Sequence, residues 1–537
     1  MEFDILIKNA KIIDGTGNPW FFGDVGVIEN KISFVGYDKY NRGKTEIDAT
    51  GKILAPGFID SHTHFDLGPL TFIDNEDPYM VRRLAQGITT QITGCCGNSP
   101  APVTKENKRE WLSDDFGGNI DKANWNSFRE YLEELDKCEL GTNMASYVGH
   151  GTIRYNVLGF SDRLPNDDEM KKMQVLLKQA MEDGAIGLST GLIYPPGVFS
   201  DTKELIELCS VLNDYKGIYA SHMRSESTYW IDSIKEVIEI AEKNNIPGQI
   251  HHIKIKHENS TELVKECFNL IEDARKRNID IAFDLYPYEA SWTGLSQVIP
   301  AWTYEGGHYR TIERLKDETL FDKIFNDIYE DYKWKTVEDE WEGSKKMLVL
   351  NGENCENYAG KTIHNIAKEL DITPIKAVIK VLLETNLSTT CAFFGMKDED
   401  IKSFLKSPYC MIGSDSIASK TNRSVHPRNN GTFPRVLGKY AREENAITME
   451  EAINKMTGYT AQRFNFSKRG LIREGFFADL VIFDENTVKD KATYIEPFNK
   501  PVGIDYVIVN GCITIENGEF TGKVNGRVLR RCPNPIL

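Results

Sequence analysis

Two histidines, His62 and His64, follow the apolar run that ends at Ser61. Residues two apart on a β-strand point to the same face, so both imidazoles can reach one point in space. A His-x-His pair alone is weak evidence for a metal site. Its place at the end of a predicted strand strengthens that interpretation, because sites on parallel sheets form at the carboxyl ends of the strands.

Four later strand-like runs also end in possible metal ligands or acids: Cys96 in TGCCGNSP, His222 in YASHMR, His251 and His252 in GQIHHIK, and Asp415 in IGSDS. A buried cysteine is usually a small core residue, and an Asp after Gly-Ser is often a turn residue. Three histidine sites at strand ends are less easily explained by packing alone. Cysteine with several histidines suits Zn²⁺ better than Mg²⁺ or Ca²⁺, so the sequence predicts zinc.

The middle of the chain predicts the elements that position these residues. Short apolar runs alternate with amphipathic helical patterns such as DEMKKMQVLLKQAMEDG, and eight such alternations are typical of a (β/α)8 barrel. The predicted strands are GFIDSHTH, ITTQITGCC, NMASYVGH, AIGLSTG, IYASHMR, PGQIHHIK, IDIAFDLYPY and YCMIGSDS. We expect the barrel over 57–299 and 396–465, and an inserted subdomain over its mouth at 300–395.

Both chain ends read as short strands separated by glycine-containing turns, for example FDILIKNAKIIDG and IDYVIVNGCITIENGEF. This pattern predicts that residues 1–56 and 466–537 build one small β-sandwich together. The overall expectation is therefore an α/β chain with a TIM-like barrel, an insertion and a sandwich made by both ends.

Composition restricts the class of function. The chain has 537 residues and a formal net charge of −16, which argues against nucleic-acid and anionic-membrane partners because both attract basic patches. No window resembles a membrane span or a targeting segment. The ten cysteines are sparse for a disulfide framework. We expect a cytoplasmic protein with a small-molecule substrate, and the sequence leaves its oligomeric state open.

Long motifs now give a family resemblance. The chain resembles the N-acyl-D-amino-acid deacylases (D-aminoacylases) of the amidohydrolase superfamily over nearly its whole length. The matching stretches are APGFIDSHTH, GITTQITGCCGNSPAP, YVGHGTIR, GAIGLSTGLIYPPG, YASHMRSE, QIHHIK, DLYPYEAS, IGSDS, HPRNNGTFPRVLG, GYTAQRF and FFADLVIFD. Of these, STGLIYPPG and HPRNNGTFPRVLG are long and specific.

The resemblance implies roles for individual residues and a reaction. It implies a tightly held zinc, a weaker second metal position, an acid–base group and groups for the substrate carboxylate. These are Cys96, His222 and His252 for the tight zinc; His62, His64 and Asp415 for the second position; Asp415 as acid–base; and Lys254, Tyr194 and Arg428, joined by Tyr286 or Tyr288, for the carboxylate. The implied reaction is attack of zinc-bound hydroxide on an N-acyl-D-amino acid, releasing a carboxylate and the free D-amino acid.

The chain also departs from the family pattern. Phe65 and Asp66 stand where two aspartates are usual, Cys95 where Asn is usual and His251 where Ser is usual, so either His251 or His252 could be the ligand. The loop between Asp415 and Arg428 lacks the usual acidic and proline residues.

Two other functions are open at this stage. One is cyclic-amide hydrolysis of the dihydroorotase or hydantoinase kind, which typically uses a lysine on the fourth strand, where AIGLSTG has none. The other is an inactive scaffold on the same fold, which should have lost ligands that this chain retains.

Overall fold

A computed structural model of the protein describes residues 2–37, 40–71, 78–108, 110–112, 123–332, 342–418 and 425–531. Strands and helices alternate along much of this length, so the fold is α/β, the class that the sequence predicts. Within these ranges, no helix combines the length and the apolar character needed to cross a membrane.

Parallel strands form the centre of the molecule, and each of the eight predicted runs contains at least one. Six strands pair in parallel in one sheet, three pair in parallel in another, and two short strands pair with each other. The six are, in order, Val148–Gly149, Gly187–Gly191, Ile218–His222, Gly248–Ile250, Ile281–Leu285 and Cys410–Ile412. The three are Phe58–Asp60, Ile88–Thr93 and Asn143–Ser146, and the short pair is Thr63–His64 with Ser416–Ile417.

Backbone hydrogen bonds connect the two parallel sheets at both edges. At one edge, only Tyr147 separates the strand Asn143–Ser146 of the three-stranded sheet from the strand Val148–Gly149 of the six-stranded sheet. Beside it, the Ile186 N–H donates to the Ser146 carbonyl (3.0 Å). At the far edge, the Ser61 N–H donates to the Ile412 carbonyl (3.2 Å). The carboxyl ends of all these strands are thereby held around one region.

Amphipathic helices pack against the strands in one shared hydrophobic core. Asp167–Asp183 illustrates why they begin and end where they do. The Asn166 side chain accepts from the Asp168 and Glu169 N–H groups in a capping box, and Gly184 ends the helix with φ 116°. The helical segments here are Gly68–Thr71, Pro78–Leu84, Phe128–Asp136, His150–Leu158, Asp167–Asp183, Gly197–Phe199, Thr202–Tyr215, Trp230–Asn244, Ser260–Lys276, Asp398–Lys406, Arg428–Arg435, Val436–Glu443, Met449–Met456 and Gly458–Arg463.

The long connection before the last parallel strand forms its own small unit. Ala290–Gly294, Thr390–Phe394 and Met347–Asn351 build an antiparallel sheet, and nearby helices share a separate hydrophobic core with it. The sheet begins before the predicted boundary at residue 300, because Ala290–Gly294 pairs with the strand that closes the connection. The helical segments are Leu295–Val298, Ala301–Tyr304, His308–Lys316, Glu318–Leu320, Phe321–Tyr332, Glu342–Lys345, Ile363–Leu370 and Pro374–Glu384.

The two chain ends meet in one nine-stranded sheet. Leu480–Phe483 pairs antiparallel with Ile53–Pro56, so the C-terminal strands continue the N-terminal ones. Alternating buried residues from both ends share one hydrophobic cluster. The arrangement of this unit as a sandwich remains a prediction. In order, its strands are Glu519–Phe520, Cys512–Glu516, Ile504–Val509, Leu480–Phe483, Ile53–Pro56, Glu2–Ile12, Phe21–Ile28 and Lys31–Gly36, with Arg42–Asp48 paired to Glu2–Ile12.

Candidate metal centre and substrate site

The predicted pair His62 and His64 lies beside Asp415. Thr63–His64 pairs in parallel with Ser416–Ile417, which brings the end of the first strand-like run against the end of the last. His64 Nε2 lies 3.2 Å and His62 Nε2 3.6 Å from Asp415 Oδ1. The Asp415 N–H also donates to the His62 carbonyl (2.8 Å). The three side chains therefore form one group of potential metal ligands.

Cys96 lies in a tight turn after the strand Ile88–Thr93. Its φ of 52° is unusual for a residue with a side chain, and at Gly94 in the same turn a Cβ would lie 2.1 Å from a backbone carbonyl oxygen. The turn places the Cys96 Sγ 3.3 Å from both His62 Nε2 and His252 Nε2. Donor atoms around a tetrahedral zinc are about 3.3–3.6 Å apart, from bond lengths of about 2.0–2.3 Å. A thiolate sulfur and an imidazole nitrogen on one zinc lie about 3.5 Å apart, so the Cys96 Sγ lies within about 0.2 Å of that separation from each ring nitrogen.

His252 follows the strand Gly248–Ile250, where the backbone leaves the extended conformation (φ 33°). Its N–H donates to Asp284 Oδ1 (2.7 Å), which fixes the peptide while the ring points toward the Cys96 thiol. The sequence leaves His251 open as an alternative ligand. In the structure, the His251 ring belongs to a different donor group.

His222, at the end of its strand, lies close to His252. The two ring centroids are 4.3 Å apart, and His222 Nε2 lies 3.3 Å from Glu226 Oε1 without the angle of a hydrogen bond. These three residues form a donor group of their own. The structure therefore brings together part of the predicted set of Cys96, His222 and His252. Cys96 contacts His252, but the second imidazole in contact with Cys96 is that of His62.

Burial sets the protonation of these donors. It lowers the pKa of His62, His222 and His252 well below the ordinary value, so these rings are neutral and able to bind a metal. Burial also raises the pKa of the Cys96 thiol, with the Asp415 carboxylate acting in the same direction. A bound divalent cation opposes this effect, because a metal-coordinated thiol is deprotonated.

Asp415 is held as a carboxylate between a histidine and an arginine. Burial opposes ionisation, but the Arg428 guanidinium and the hydrogen bond with His64 hold the Asp415 pKa well below its usual range. Arg428 Nη1 lies 2.8 Å from Asp415 Oδ2. Asp415 adopts a φ of 49°, a left-handed conformation that directs its side chain toward these partners.

Arg428 and Tyr286 lie together as buried groups with unused hydrogen-bonding capacity. The Arg428 guanidinium is 4.6 Å from the Tyr286 ring centroid, and its Nη2 donates to the Trp292 carbonyl (3.2 Å). Among the described residues, the Tyr286 hydroxyl and the Arg428 Nε have no hydrogen-bond partner. The Tyr288 hydroxyl, in contrast, donates to a backbone carbonyl (3.4 Å), and its ring packs under Arg435. Of the two tyrosines, Tyr286 is therefore the one beside Arg428.

Lys254 and Tyr194 each contact one of the two imidazoles His252 and His222. Lys254 Nζ pairs with Glu226 and lies 2.6 Å from His252 Nδ1. The Tyr194 ring packs against His222, with centroids 4.9 Å apart, and its hydroxyl shares a hydrogen bond with Thr293 Oγ1 (2.9 Å). Both predicted residues thus border the donor cluster.

Two carboxylates in the site, Asp284 and Glu226, are missing from the sequence prediction. Asp284 Oδ1 lies 3.0 Å from His62 Nδ1 and accepts the His252 N–H, and Asp284 Oδ2 accepts from Gln249 (2.7 Å). Burial raises its pKa to about 6. An aspartate within the apolar run IAFDL was the signal available for it. Glu226 lies in the matched stretch YASHMRSE, but its pairing with Lys254, four residues after the strand Gly248–Ile250, is visible only in three dimensions.

Comparison with known proteins places the chain in a family. Residues 45–303 and 380–515 match the amidohydrolase family. The D-aminoacylase of Alcaligenes xylosoxydans xylosoxydans is 34% identical, and the alignment covers 98% of each chain.

Two solved structures are similar over nearly the full chain. A D-aminoacylase structure, described for the functional role of its binuclear metal centre, is 33% identical with a TM-score of 0.83, covering 98% of this chain and 100% of that one. The N-acyl-D-glutamate deacylase of Bordetella bronchiseptica, complexed with zinc and a phosphonate mimic of the tetrahedral intermediate, is 29% identical with a TM-score of 0.80. That match covers 99% of this chain and 100% of the other.

Removal of the central thiol tests the metal centre. We predict that Cys96→Ala loses one equivalent of tightly held zinc per chain and abolishes turnover, because the two imidazoles near the thiol lose their common partner. Zinc is measured by elemental analysis after dialysis against a chelator. Cys410→Ala, at a fully buried cysteine on another strand, is the matched control and should keep its zinc. Retention of full zinc and full turnover by Cys96→Ala would show that the ligand set is wrong.

Proposed function

This chain belongs to the amidohydrolase family and, within it, to the N-acyl-D-amino-acid deacylases, and we propose its reaction from there. We propose that the chain hydrolyses N-acyl-D-amino acids with the help of zinc. The products are a carboxylate and a free D-amino acid. The proposal rests on one observation, the meeting of the metal donors with an ion pair. Cys96 contacts His62 and His252. His62 in turn lies 3.6 Å from Asp415, which pairs with Arg428.

The residues fit zinc by their chemistry. Cys96, His222 and His252 hold the tight ion, and both ring nitrogens of His222 lack a hydrogen-bond partner among the described residues, as an imidazole reserved for a ligand would. His62 and His64, with Asp415, hold a second, weaker ion, which their common approach to Asp415 supports. A bound zinc supplies an activated water and polarises the scissile carbonyl.

Asp415 carries the proton in this reaction. Its low pKa keeps it ionised, so it can accept a proton from the attacking water. Asp415 then donates the same proton to the nitrogen of the leaving amine as the C–N bond breaks. His64, 3.2 Å from one carboxylate oxygen, and Arg428, 2.8 Å from the other, orient it for both steps.

The substrate carboxylate binds to buried cations. Arg428 presents a planar guanidinium that matches a carboxylate through two parallel hydrogen bonds. The adjacent Tyr286 hydroxyl is a further donor, Lys254 Nζ lies 5.8 Å from the centroid of the same Tyr286 ring, and Tyr194 packs against His222. Tyr288 is a weaker candidate because its hydroxyl is already bonded. The D preference rests on the two relatives named as a D-aminoacylase and an N-acyl-D-glutamate deacylase.

The finer architecture belongs to the same proposal. The two parallel sheets close into one (β/α)8 barrel over 57–299 and 396–465, which the hydrogen bonds at both of their shared edges support. Residues 300–395, joined by the strand Ala290–Gly294, cover its mouth, and 1–56 with 466–537 form the sandwich. We also propose a cytoplasmic enzyme. The similarity to D-aminoacylases favours a linear amide over the cyclic-amide substrate, and over an inactive scaffold.

The acid–base role gives a direct prediction. Asp415→Asn removes the proton carrier but keeps the side-chain shape, so we expect kcat on N-acetyl-D-methionine to fall by about 10²–10⁴-fold or more while the tight zinc is retained. Asp398→Asn, at an ion-paired aspartate outside the metal groups, is the control and should stay near wild type. A loss of only a few-fold in Asp415→Asn would assign proton transfer to another group.

The substrate assignment is tested with two substrate pairs. We expect hydrolysis of N-acetyl-D-methionine to exceed that of its L enantiomer, and Arg428→Ala to lower kcat/KM by about 10–100-fold, since a hydrogen bond to a charged group contributes about 1.5–3 kcal/mol. The neutral amide of N-acetyl-D-methionine has no carboxylate for Arg428 to bind. The Arg428→Ala substitution should therefore lower kcat/KM less for this amide than for the acid.

The control for that experiment is Arg463→Ala, which removes a buried, ion-paired arginine that contacts Asp280. Equal rates on both enantiomers would contradict the D preference. Equal losses on the acid and its amide in Arg428→Ala would contradict carboxylate binding and leave Arg428 as a partner of Asp415 alone.

A further inference from the structure

Lys256 is a cation of the site to which the proposed hydrolysis gives no role. It follows His252 and Lys254 at alternate positions of one loop, and its N–H donates to the Glu226 carbonyl (2.9 Å). The Lys254 side chain is 4% exposed, whereas that of Lys256 is 27% exposed. Lys256 is therefore the ammonium of this loop that a dissolved molecule can reach.

One carboxylate, that of Glu226, faces both lysines. Its Oε1 contacts the Lys254 ammonium and lies 3.3 Å from His222 Nε2 and 3.5 Å from His252 Nδ1. Its Oε2 lies 3.9 Å from Lys256 Nζ, which is beyond hydrogen-bond distance. Two ammonium groups thus share a single carboxylate, and these three side chains together hold one positive charge in excess.

The surroundings of Lys256 make that excess charge unfavourable. Burial lowers the pKa of Lys256 to about 8, and the cations of Lys254 and Arg428 act in the same direction, against Glu226. An anion bound beside Lys256 would oppose this effect, because an opposite charge favours the ionised form. The Phe393 ring of the inserted sheet lies 5.4 Å from Lys256 Nζ and adds apolar surface, which strengthens an ion pair by excluding water.

Lys256 is connected to the group that takes the substrate α-carboxylate, but it is a separate cation. The Arg428 guanidinium lies 4.6 Å and Lys254 Nζ lies 5.8 Å from the centroid of the same Tyr286 ring. Lys254 in turn contacts Glu226, which faces Lys256. One site therefore offers two cationic positions, one at Arg428 and one at Lys256, and a molecule with two carboxylates matches both.

We propose that Lys256 selects the substrate by its side chain, and that the preferred class is N-acyl-D-amino acids with an acidic side chain. This inference rests on the proposed function, in which Arg428 takes the α-carboxylate. The side-chain carboxylate binds the Lys256 ammonium and balances the charge that Glu226 leaves over. A neutral side chain of equal size leaves that charge unpaired. Because Lys256 binds neither the metal nor the scissile amide, its loss should raise KM for the acidic substrate and spare kcat.

N-acetyl-D-glutamate and N-acetyl-D-glutamine test the inference, because the two substrates are nearly equal in shape and differ in side-chain charge. Wild type should favour the glutamate by about 10–100-fold in kcat/KM, as expected for a hydrogen bond between charged groups. Lys256→Met keeps an extended side chain without its charge. It should abolish the preference by raising KM for the glutamate, with little change for the glutamine. Lys256→Arg keeps the charge and should retain the preference.

Lys276→Met removes an exposed lysine that pairs with Asp273, and this matched control should behave as wild type. Hydrolysis of both substrates without a preference for the glutamate would overturn the inference and leave the proposed function in place. A preference that survives in Lys256→Met, or an equal loss on both substrates in that variant, would also overturn it. If neither substrate nor N-acetyl-D-methionine is hydrolysed by wild type, the proposed function and this inference are both wrong.

Discussion

The contact of one buried thiol with two buried imidazole nitrogens, each 3.3 Å away, is the constraint on which the rest of the site depends. Burial keeps the thiol and both rings uncharged, so the single S–H of Cys96 can donate to only one of the two ring nitrogens at a time. A divalent ion would be held by Cys96 and His252 together with His222, and His62 would face the neighbouring position with His64 and Asp415. Asp284 stabilises the arrangement from behind, by bonding to a ring nitrogen of His62 and to the backbone N–H of His252.

The parallel strands supply the rigidity that this contact needs. Three of the candidate residues, Cys96, His252 and Asp415, have positive φ just after their strands end. Such conformations are unfavourable for residues with side chains, and they persist where the surrounding structure determines them. Because the strands and the helices around them share one packed core, the backbone can hold these turns and aim all three side chains at one region.

The sequence predicts the parts of this site that follow from periodicity and motif. Strand-end positions identify His62, Cys96, His222 and Asp415, and the structure brings each of them to the same region. What periodicity cannot give is the geometry of the turns. A left-handed residue at His252 decides which of two adjacent histidines meets Cys96, and no sequence spacing encodes that φ. Asp284 and Glu226 escape prediction because their partners, His62 and Lys254, are distant in sequence. The start of the inserted sheet at Ala290 escapes prediction for the same reason, because its pairing partner Phe394 is about a hundred residues away.

Anomalous diffraction at the zinc absorption edge, from crystals of the zinc-loaded protein, tests the central claim most directly. We predict that the strongest anomalous peak in the catalytic centre lies about 2.3 Å from Cys96 Sγ and about 2.0–2.1 Å from His252 Nε2. A well-occupied zinc that contacts neither of these atoms, with no peak beside Cys96, would contradict the account.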